Sequence, residues 1–455
     1  MTLSPVIIPS EIQTREFDAK LLLACFLAES GVDVYVGARH EIHANIHHLP
    51  PSIYVAKDFR DSSVQIFNIM SLLGHRIVAW DEEGLITHKP ELYYSRRVAE
   101  KAISKVQEFY AWGEKNKALI ENAPGFPATN IHITGNPRGD LLRPEFKDFY
   151  ADTVERLQAR YGNFILINSN FGFVNHKVRS LKASTGASGS FNGHGGAEID
   201  RFLRHRESML STFIDLLPDI AQRFAENTII VRPHPSENHS LWTRAAAKIK
   251  NIEVIHEGSV LPWLLAAGTM IHNGCTTGLE AFLLGRPAIS FEPKGVPPGE
   301  KNLPNFLSYR VQSQQELFAL ISQCLETNQP LPQTDAQWKE ISRFIGATNG
   351  PFASEQIAQH IRTLSERDCN GFTSSPVSRF SGRFLSRLRK MEKDLSYMWP
   401  GHKSGRAYNI HRYPGLKLGE VQNRVANFAK ITGKFRALSV EHCREHIFLV
   451  TSPKR

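Results

Sequence analysis

Short β-branched runs separated by helical stretches constrain this chain more than any other feature. Val6-Ile7-Ile8 reads as a strand, Phe17 to Ser30 has helical periodicity and stops at Gly31, and Val32 to Val36 reads as the next strand. Further strands are expected at Ser52–Val55, Arg76–Trp80, Phe109–Ala111 and Ile131–Thr134. Strand–helix–strand alternation with short turns makes a parallel sheet covered on both faces, which is the α/β class. The pattern restarts with a helix at Thr153–Tyr161 and a strand at 164–167. Strands at Thr228–Val231, Ile252–Ile255, Met270–Ile271 and Ala288–Phe291 follow, with helices at Val260–Ala267 and Thr276–Leu284 between them. The expected division is therefore 1–150, 151–345 and a C-terminal segment 346–455, with a crossing back after about residue 345.

Composition narrows the class. The 455 residues are 41% apolar and 22% charged, which is globular usage. No run approaches the ~20 apolar residues of a membrane span, and the N-terminus has no basic region followed by an apolar one. The five cysteines (25, 275, 324, 369, 443) are scattered, with no CxxC and no Cys/His pair at zinc spacing. This argues for a reducing compartment and against a disulfide framework or a structural zinc site. The net charge is +9, but the segment from Thr373 holds seventeen Lys/Arg against five Asp/Glu, leaving the rest near −3. A nucleic-acid protein would carry such charge on its main domains, so no nucleic-acid partner is expected.

Ligands of open parallel sheets bind beyond the carboxyl ends of the strands, so chemistry is sought there. Asp81-Glu82-Glu83-Gly84 follows one strand; a partly desolvated carboxylate at such a turn can act as a base, or the turn can simply cap the next helix. Gly135-Asn136-Pro137-Arg138-Gly139-Asp140 follows another, as an anion contact through Arg138 or an interdomain hinge. Arg232-Pro233-His234-Pro235 holds a histidine between two prolines that stiffen its backbone; it suits a departing phosphate, or is a structural histidine. His272-Asn273-Gly274-Cys275-Thr276-Thr277 enters a helix that carries Glu280; it reads as an anion turn or as an N-cap alone. Arg15, Glu16 and Asp18 follow the first strand and are expected on the same side, or are simply a charged helix start. There is no GxxxxGK[ST] and no GxGxxG after the first strand, so ATP hydrolysis and hydride transfer lose support. Residues 172–197, rich in Gly, Ser, Asn and His, read as a functional lid or a disordered loop.

Taken together, the GNPRGD turn, the RPHP turn and the NGCTTGLEAFLLGRPAISFEP segment resemble GT-B glycosyltransferases across roughly residues 1–345. More closely, they resemble bacterial surface-carbohydrate biosynthesis proteins related to CMP-sugar (sialyl and β-Kdo) transferases, and CDP-glycerol glycerophosphotransferases. The resemblance implies two Rossmann-like domains facing across a cleft. It implies an acid-acid-glycine motif at Glu82-Glu83-Gly84, an HP motif at His234-Pro235 and a threonine pair at Thr276-Thr277. By that analogy Glu82 or Glu83 deprotonates the acceptor and His234 assists the leaving CMP phosphate. Arg232, His234, Pro235, Gly274, Thr276, Thr277, Glu280 and Arg138 would line the nucleotide, and Arg15, Glu16, Asp18 and Asp81 the acceptor. The extra acid Asp81 leaves open which carboxylate acts. The expected donor is a CMP-linked Kdo or sialic-acid-like sugar, and the acceptor a lipid-linked or polysaccharide glycan of capsule or lipopolysaccharide type. Neither a cofactor nor a metal is expected. CDP-polyol phosphate transfer, UDP-sugar epimerisation and a non-catalytic role in glycan assembly or export are the alternatives.

In the basic segment, Phe384, Leu388, Met391, Leu395 and Met398 recur at helical spacing with Arg383, Arg387, Arg389, Lys390 and Lys393 around them. Such a helix suits the anionic inner face of the cytoplasmic membrane, or docks on the chain's own N-terminal domain.

Overall fold

The computed structural model describes residues 3–86, 90–126, 130–176, 196–293, 295, 302–327, 332–367, 374–397 and 405–453. The chain packs as two compact units: Met1–Phe149 with Ser342–Arg455, and Tyr150–Ile341. In chain order the strands are β1 (Val6–Ser10), β2 (Val34–Ala38), β3 (Ile53–Ala56), β4 (Arg76–Ala79), β5 (Val106–Ala111), β6 (Ile131–Ile133), β7 (Ile165–Asn168), β8 (Ile229–Arg232), β9 (Ile252–Val254), β10 (Thr269–His272), β11 (Ala288–Phe291), β12 (Tyr309–Val311), β13 (Ser439–Arg444) and β14 (Ile447–Thr451). Most of the sequence-expected strands fall within a residue or two of these bounds.

Among the described residues, the first unit has an eight-stranded sheet in the order β13-β14-β2-β1-β3-β4-β5-β6. β1 to β6 run parallel. Val6, Ile7 and Ile8 have no exposure, as expected of a central strand with helices on both faces. The helix Gln13–Glu29 is buried almost all round because it packs against the helices Ala353–Arg367 and Leu418–Thr432 as well as the sheet. Both partners come from the far end of the chain.

The C-terminal segment is helical at Pro376–Tyr397, Arg406–Arg412 and Leu418–Thr432, and then adds a hairpin absent from the sequence reading. β14 pairs antiparallel with β2. Gly37 makes this possible: a Cβ there would lie 2.1 Å from the His446 carbonyl oxygen.

The second unit has a six-stranded, wholly parallel sheet in the order β12-β11-β10-β7-β8-β9. The chain runs outward from β7 through β8 to β9 and then returns to β10 on the other side of β7. The order therefore reverses between β7 and β10, and in open sheets that is where a crevice opens at the carboxyl ends. In the first unit the reversal lies between β1 and β3. The expected 172–197 loop falls mostly at 177–195, outside the described residues. No helix among the described residues is long and apolar enough to cross a membrane.

Candidate functional site

The carboxyl edge of the first unit carries a dense network of charge. After β4 the chain turns through Asp81, Glu82 and Glu83, and the three carboxylates have separate fates. Asp81 is 1% exposed and takes bonds from Tyr93 Oη (2.8 Å), Arg97 Nε (2.9 Å) and the backbone N–H of Glu83 (3.1 Å). Its own carbonyl accepts from Trp112 Nε1 at 2.7 Å. Asp81 thus anchors the turn, and its oxygens are already committed to protein donors. Glu82 is equally buried; its Oε2 accepts from Trp80 Nε1 at 2.8 Å and lies 3.4 Å from Lys20 Nζ. Among the described residues its Oε1 has no hydrogen-bond partner, and it lies 3.8 Å from Arg138 Nη1.

Glu83 is the carboxylate nearest solvent, 38% exposed, in a two-pronged bond with Arg15 (2.6 and 3.2 Å). Burial acts to raise its pKa, but Arg15, with Arg138 and Arg97 behind it, holds the carboxyl down at about 2.

Arg15, expected on the acceptor side, therefore meets Glu83 directly. Glu16 is 1% exposed and sits between Lys20 (2.7 Å) and Lys57 (3.3 Å). Its partners outweigh burial and keep it ionised. Asp18 does not join this set, contrary to the expectation. It pairs with Arg424 of the Leu418–Thr432 helix at 2.8 Å. The turn after β6 divides its labour as well. Arg138 stands beside Glu82 and over the Trp112 ring, 5.8 Å from its centroid. Asp140 instead accepts from the backbone N–H groups of Ala353 (2.7 Å) and Ser354 (2.8 Å), fixing the start of a returning helix.

In the second unit, Arg232 does not reach outward as expected. It is 6% exposed and donates to the carbonyls of Glu257 (2.8 Å) and Gly258 (2.6 Å) while lying over Trp263. It straps the loop after β9 to the strand end. His234 is half-buried; its Nδ1 lies 2.8 Å from Ser236 Oγ and accepts from the Ser236 backbone N–H at 3.3 Å. That acceptor role at Nδ1 places the ring proton on Nε2, the nitrogen on the far side of the ring.

Sequence reasoning missed the group that holds this turn. Glu237 has no exposure. Its Oε1 accepts from Ser169 Oγ (2.7 Å), Phe171 N–H (2.9 Å) and His234 N–H (3.3 Å). Its Oε2 accepts from Trp242 Nε1 (2.9 Å) and Asn175 Nδ2 (3.4 Å). One buried carboxylate thus ties the ends of β7 and β8 together. The available signal was an acid three residues beyond a Pro-flanked histidine.

Beyond β10, Gly274 takes a positive φ of 65°, and a Cβ there would lie 2.4 Å from Asn302 Nδ2. Asn170 Nδ2 reaches the Gly274 carbonyl at 3.4 Å, spanning the reversal point between β7 and β10. Arg206 donates to Asn273 Oδ1 at 3.0 Å from the same quarter. Thr276 is exposed, whereas the Thr277 hydroxyl turns toward Met270 Sδ (3.6 Å). Glu280 is buried in the first turn of the helix Thr277–Leu283. Beneath it, His272 Nε2 meets Ser308 Oγ at 2.8 Å; burial drives its pKa to about 3, so the ring stays neutral.

No protein-family model and no curated protein matches the chain. Solved structures do. The Wall Teichoic Acid Polymerase TagF is similar at TM-score 0.48 and 10% identity, over 81% of this chain and 90% of that one. A variant of that polymerase gives TM-score 0.38 and 12% identity over 59% of this chain, which spans 60% of that protein's length. UDP-GlcNAc 2-epimerase from Neisseria meningitidis, bound to UDP-GlcNAc, gives 0.45 and 12% over 79% of this chain and 99% of that one. By its own topology the described chain is α/β, with one mainly parallel eight-stranded sheet and one parallel six-stranded sheet.

Proposed function

We propose that this chain is a glycosyltransferase that moves a Kdo or sialic-acid-like sugar from a CMP-activated donor to a surface polysaccharide or its lipid-linked precursor. The observation that carries the reading is the end of β8. A histidine is clamped there by a buried carboxylate, one strand away from the reversal point that the Gly274–Thr276 turn borders. Rigid donors at a crevice suit a phosphate that gains charge as it leaves.

In this reading the second unit holds the nucleotide. His234 donates to the departing phosphate oxygen, Thr276 and the Gly274 turn contact the same phosphate, and Glu280 lies near the ribose. Arg232 and Glu237 position these groups without touching the nucleotide. The first unit readies the acceptor. The acceptor hydroxyl gives its proton to a carboxylate, its oxygen bonds to the anomeric carbon, and the bond from that carbon to the CMP phosphate breaks with its electron pair on the phosphate. Glu83 is the carboxylate an acceptor can reach. Paired with Arg15 it is a weak base, so Arg15 has to be drawn off before Glu83 can take the proton. Glu82, held by Trp80 and Lys20, fixes the turn from below.

The same reading places the protein on an anionic membrane surface through the Pro376–Tyr397 helix. Val377, Phe380, Phe384, Leu388, Met391 and Leu395 recur every three or four residues, and all are exposed. The helix seats its opposite face on the helix Asp61–Leu73, where a Cβ at Gly382 would lie 3.0 Å from Leu73. Docking on the first unit and an open apolar stripe therefore coexist. Met398, part of the expected stripe, lies outside the described residues.

Calorimetric titration with CMP, CDP and UDP tests the nucleotide. CMP should bind best, and His234→Ala should weaken it at least tenfold. Tighter UDP or CDP binding overturns the donor in favour of an epimerase or a polyol phosphate transferase. Absence of binding to all three overturns the enzyme.

A further inference from the structure

Away from both carboxyl edges, the outer strands of the first unit carry a separate set of side chains. The β5–β6 register sets Tyr110 opposite His132. Glu108 lies two residues before Tyr110, so all three share one face of the sheet. The helix Ala353–Arg367 lays His360 on that face, with its ring centroid 4.0 Å from that of His132. His132 Nε2 is 2.8 Å from Glu108 Oε2, and His360 Nδ1 is 3.0 Å from Tyr110 Oη. One ligand atom from each of Glu108, His132 and His360 lies within 4.8 Å of the others.

We propose that Glu108, His132 and His360 form a binding site for a divalent first-row transition ion of zinc type. Two imidazoles and a carboxylate are a donor set that such ions take, with a water in the fourth position. Tetrahedral zinc at its usual bond lengths holds its ligand atoms about 3.4 Å apart, so the set needs only small side-chain rotations to close. His132 is 35% exposed and Glu108 17%, which gives a hydrated ion a way in. Tyr110 is fully buried, with its phenol oxygen held against His360. Its oxygen next to His360 Nδ1 is the outer-shell partner that ligating histidines use to fix their ring. Hydrogen bonds pair Glu108 with His132 and Tyr110 with His360, but neither pair calls for the two imidazoles to lie 4.0 Å apart.

The ligands come from three remote stretches of chain, so no local spacing announces them. A bound ion would staple the returning helix Ala353–Arg367 to β5 and β6. It would act on the stability of the first unit rather than on the nucleotide.

The test uses the full chain, treated with a chelator, desalted and titrated with zinc chloride by calorimetry, beside His132→Ala and His360→Ala. Wild type should bind one equivalent more than either variant, or bind that equivalent at least tenfold more tightly, and its melting temperature should rise with zinc only when all three ligands are present. Tyr110→Phe, which keeps the ring, should weaken the same equivalent. Identical isotherms in wild type and variants overturn the site, as does a wild type with no micromolar binding. Should a variant fail to fold by circular dichroism, cobalt(II) bound to wild type decides: the intense visible absorption of a tetrahedral ion supports the site, and its absence overturns it. CMP binding is measured on the same samples and should not change with zinc.

Discussion

Replacing Glu237 by glutamine is the most direct challenge to the clamped-histidine site. The substitution keeps size and shape and changes half the carboxylate into a donor. In the wild type, three donors converge on Oε1 and two on Oε2, all in a region without solvent. The amide NH2 of glutamine must face one group or the other. Its better orientation is toward Trp242 and Asn175, because Asn175 can flip to accept. That leaves the Trp242 indole N–H without an acceptor, at about 1–3 kcal/mol, and strips the ionic character from the bonds to Ser169, Phe171 and His234. The sum is roughly 2–4 kcal/mol. For a unit the size of Tyr150–Ile341 this is a fall of roughly 5–15 °C in its melting transition. His234 loses a firm backbone anchor as well, so CMP affinity should fall about tenfold even at temperatures where the unit is folded. Differential scanning calorimetry with and without CMP reads both effects. A variant that melts within about 2 °C of wild type and binds CMP equally well would refute the clamp.

Two further outcomes follow from the first unit. Burial alone would raise the Glu11 carboxyl, but Lys57, Arg39 and Arg412 hold it at about 2. A folded value below the unfolded one contributes stability that is full above about pH 4.5 and is lost as pH falls toward 2, roughly 3 kcal/mol in all. Glu11→Gln should therefore lower the melting temperature at pH 7 and flatten its decline between pH 4.5 and 2; an unchanged slope would remove Glu11 from the acid response. On the Pro376–Tyr397 helix, Phe384→Asp with Leu388→Asp should abolish co-flotation with vesicles containing anionic lipid while leaving the melting temperature within about 1 °C, since both side chains face solvent. Undiminished flotation would refute the membrane role of the stripe.

The parallel sheets were legible because their strands are continuous apolar runs bounded by turn residues, as at Val6-Ile7-Ile8 and 164–167. The carboxyl-edge turns were legible for the same reason, since each strand end points to the residues after it. What each charged side chain does there was not. Arg15 was expected among acceptor contacts, and its partner Glu83 is 68 positions away in sequence. Asp18 and Arg232 resemble site residues in a linear reading, but Arg424 and the Glu257–Gly258 carbonyls claim them, and only the folded chain brings those partners near. Glu237 was invisible because a carboxylate buried among neutral donors looks, in sequence, like any surface acid. The hairpin of β13 and β14 was hidden by its composition: Ser439–Arg444 buries Val440 and exposes its other five residues, as an outer strand does, and β14 pairs with β2, which lies some four hundred positions upstream.

That hairpin bears on how the molecule is made. Tyr150–Ile341 is one uninterrupted stretch and can fold as soon as it leaves the ribosome, whereas its companion must wait for the last strand to be synthesised before β2 has a neighbour on its outer side. Until then Val34–Ala38 is an open template for any passing strand, and nascent chains stalled or cut before residue 447 are the ones expected to stick to each other. For the same reason, deleting the basic segment to probe membrane attachment would unzip the sheet along with it, and only point changes on the outward stripe can separate the two roles.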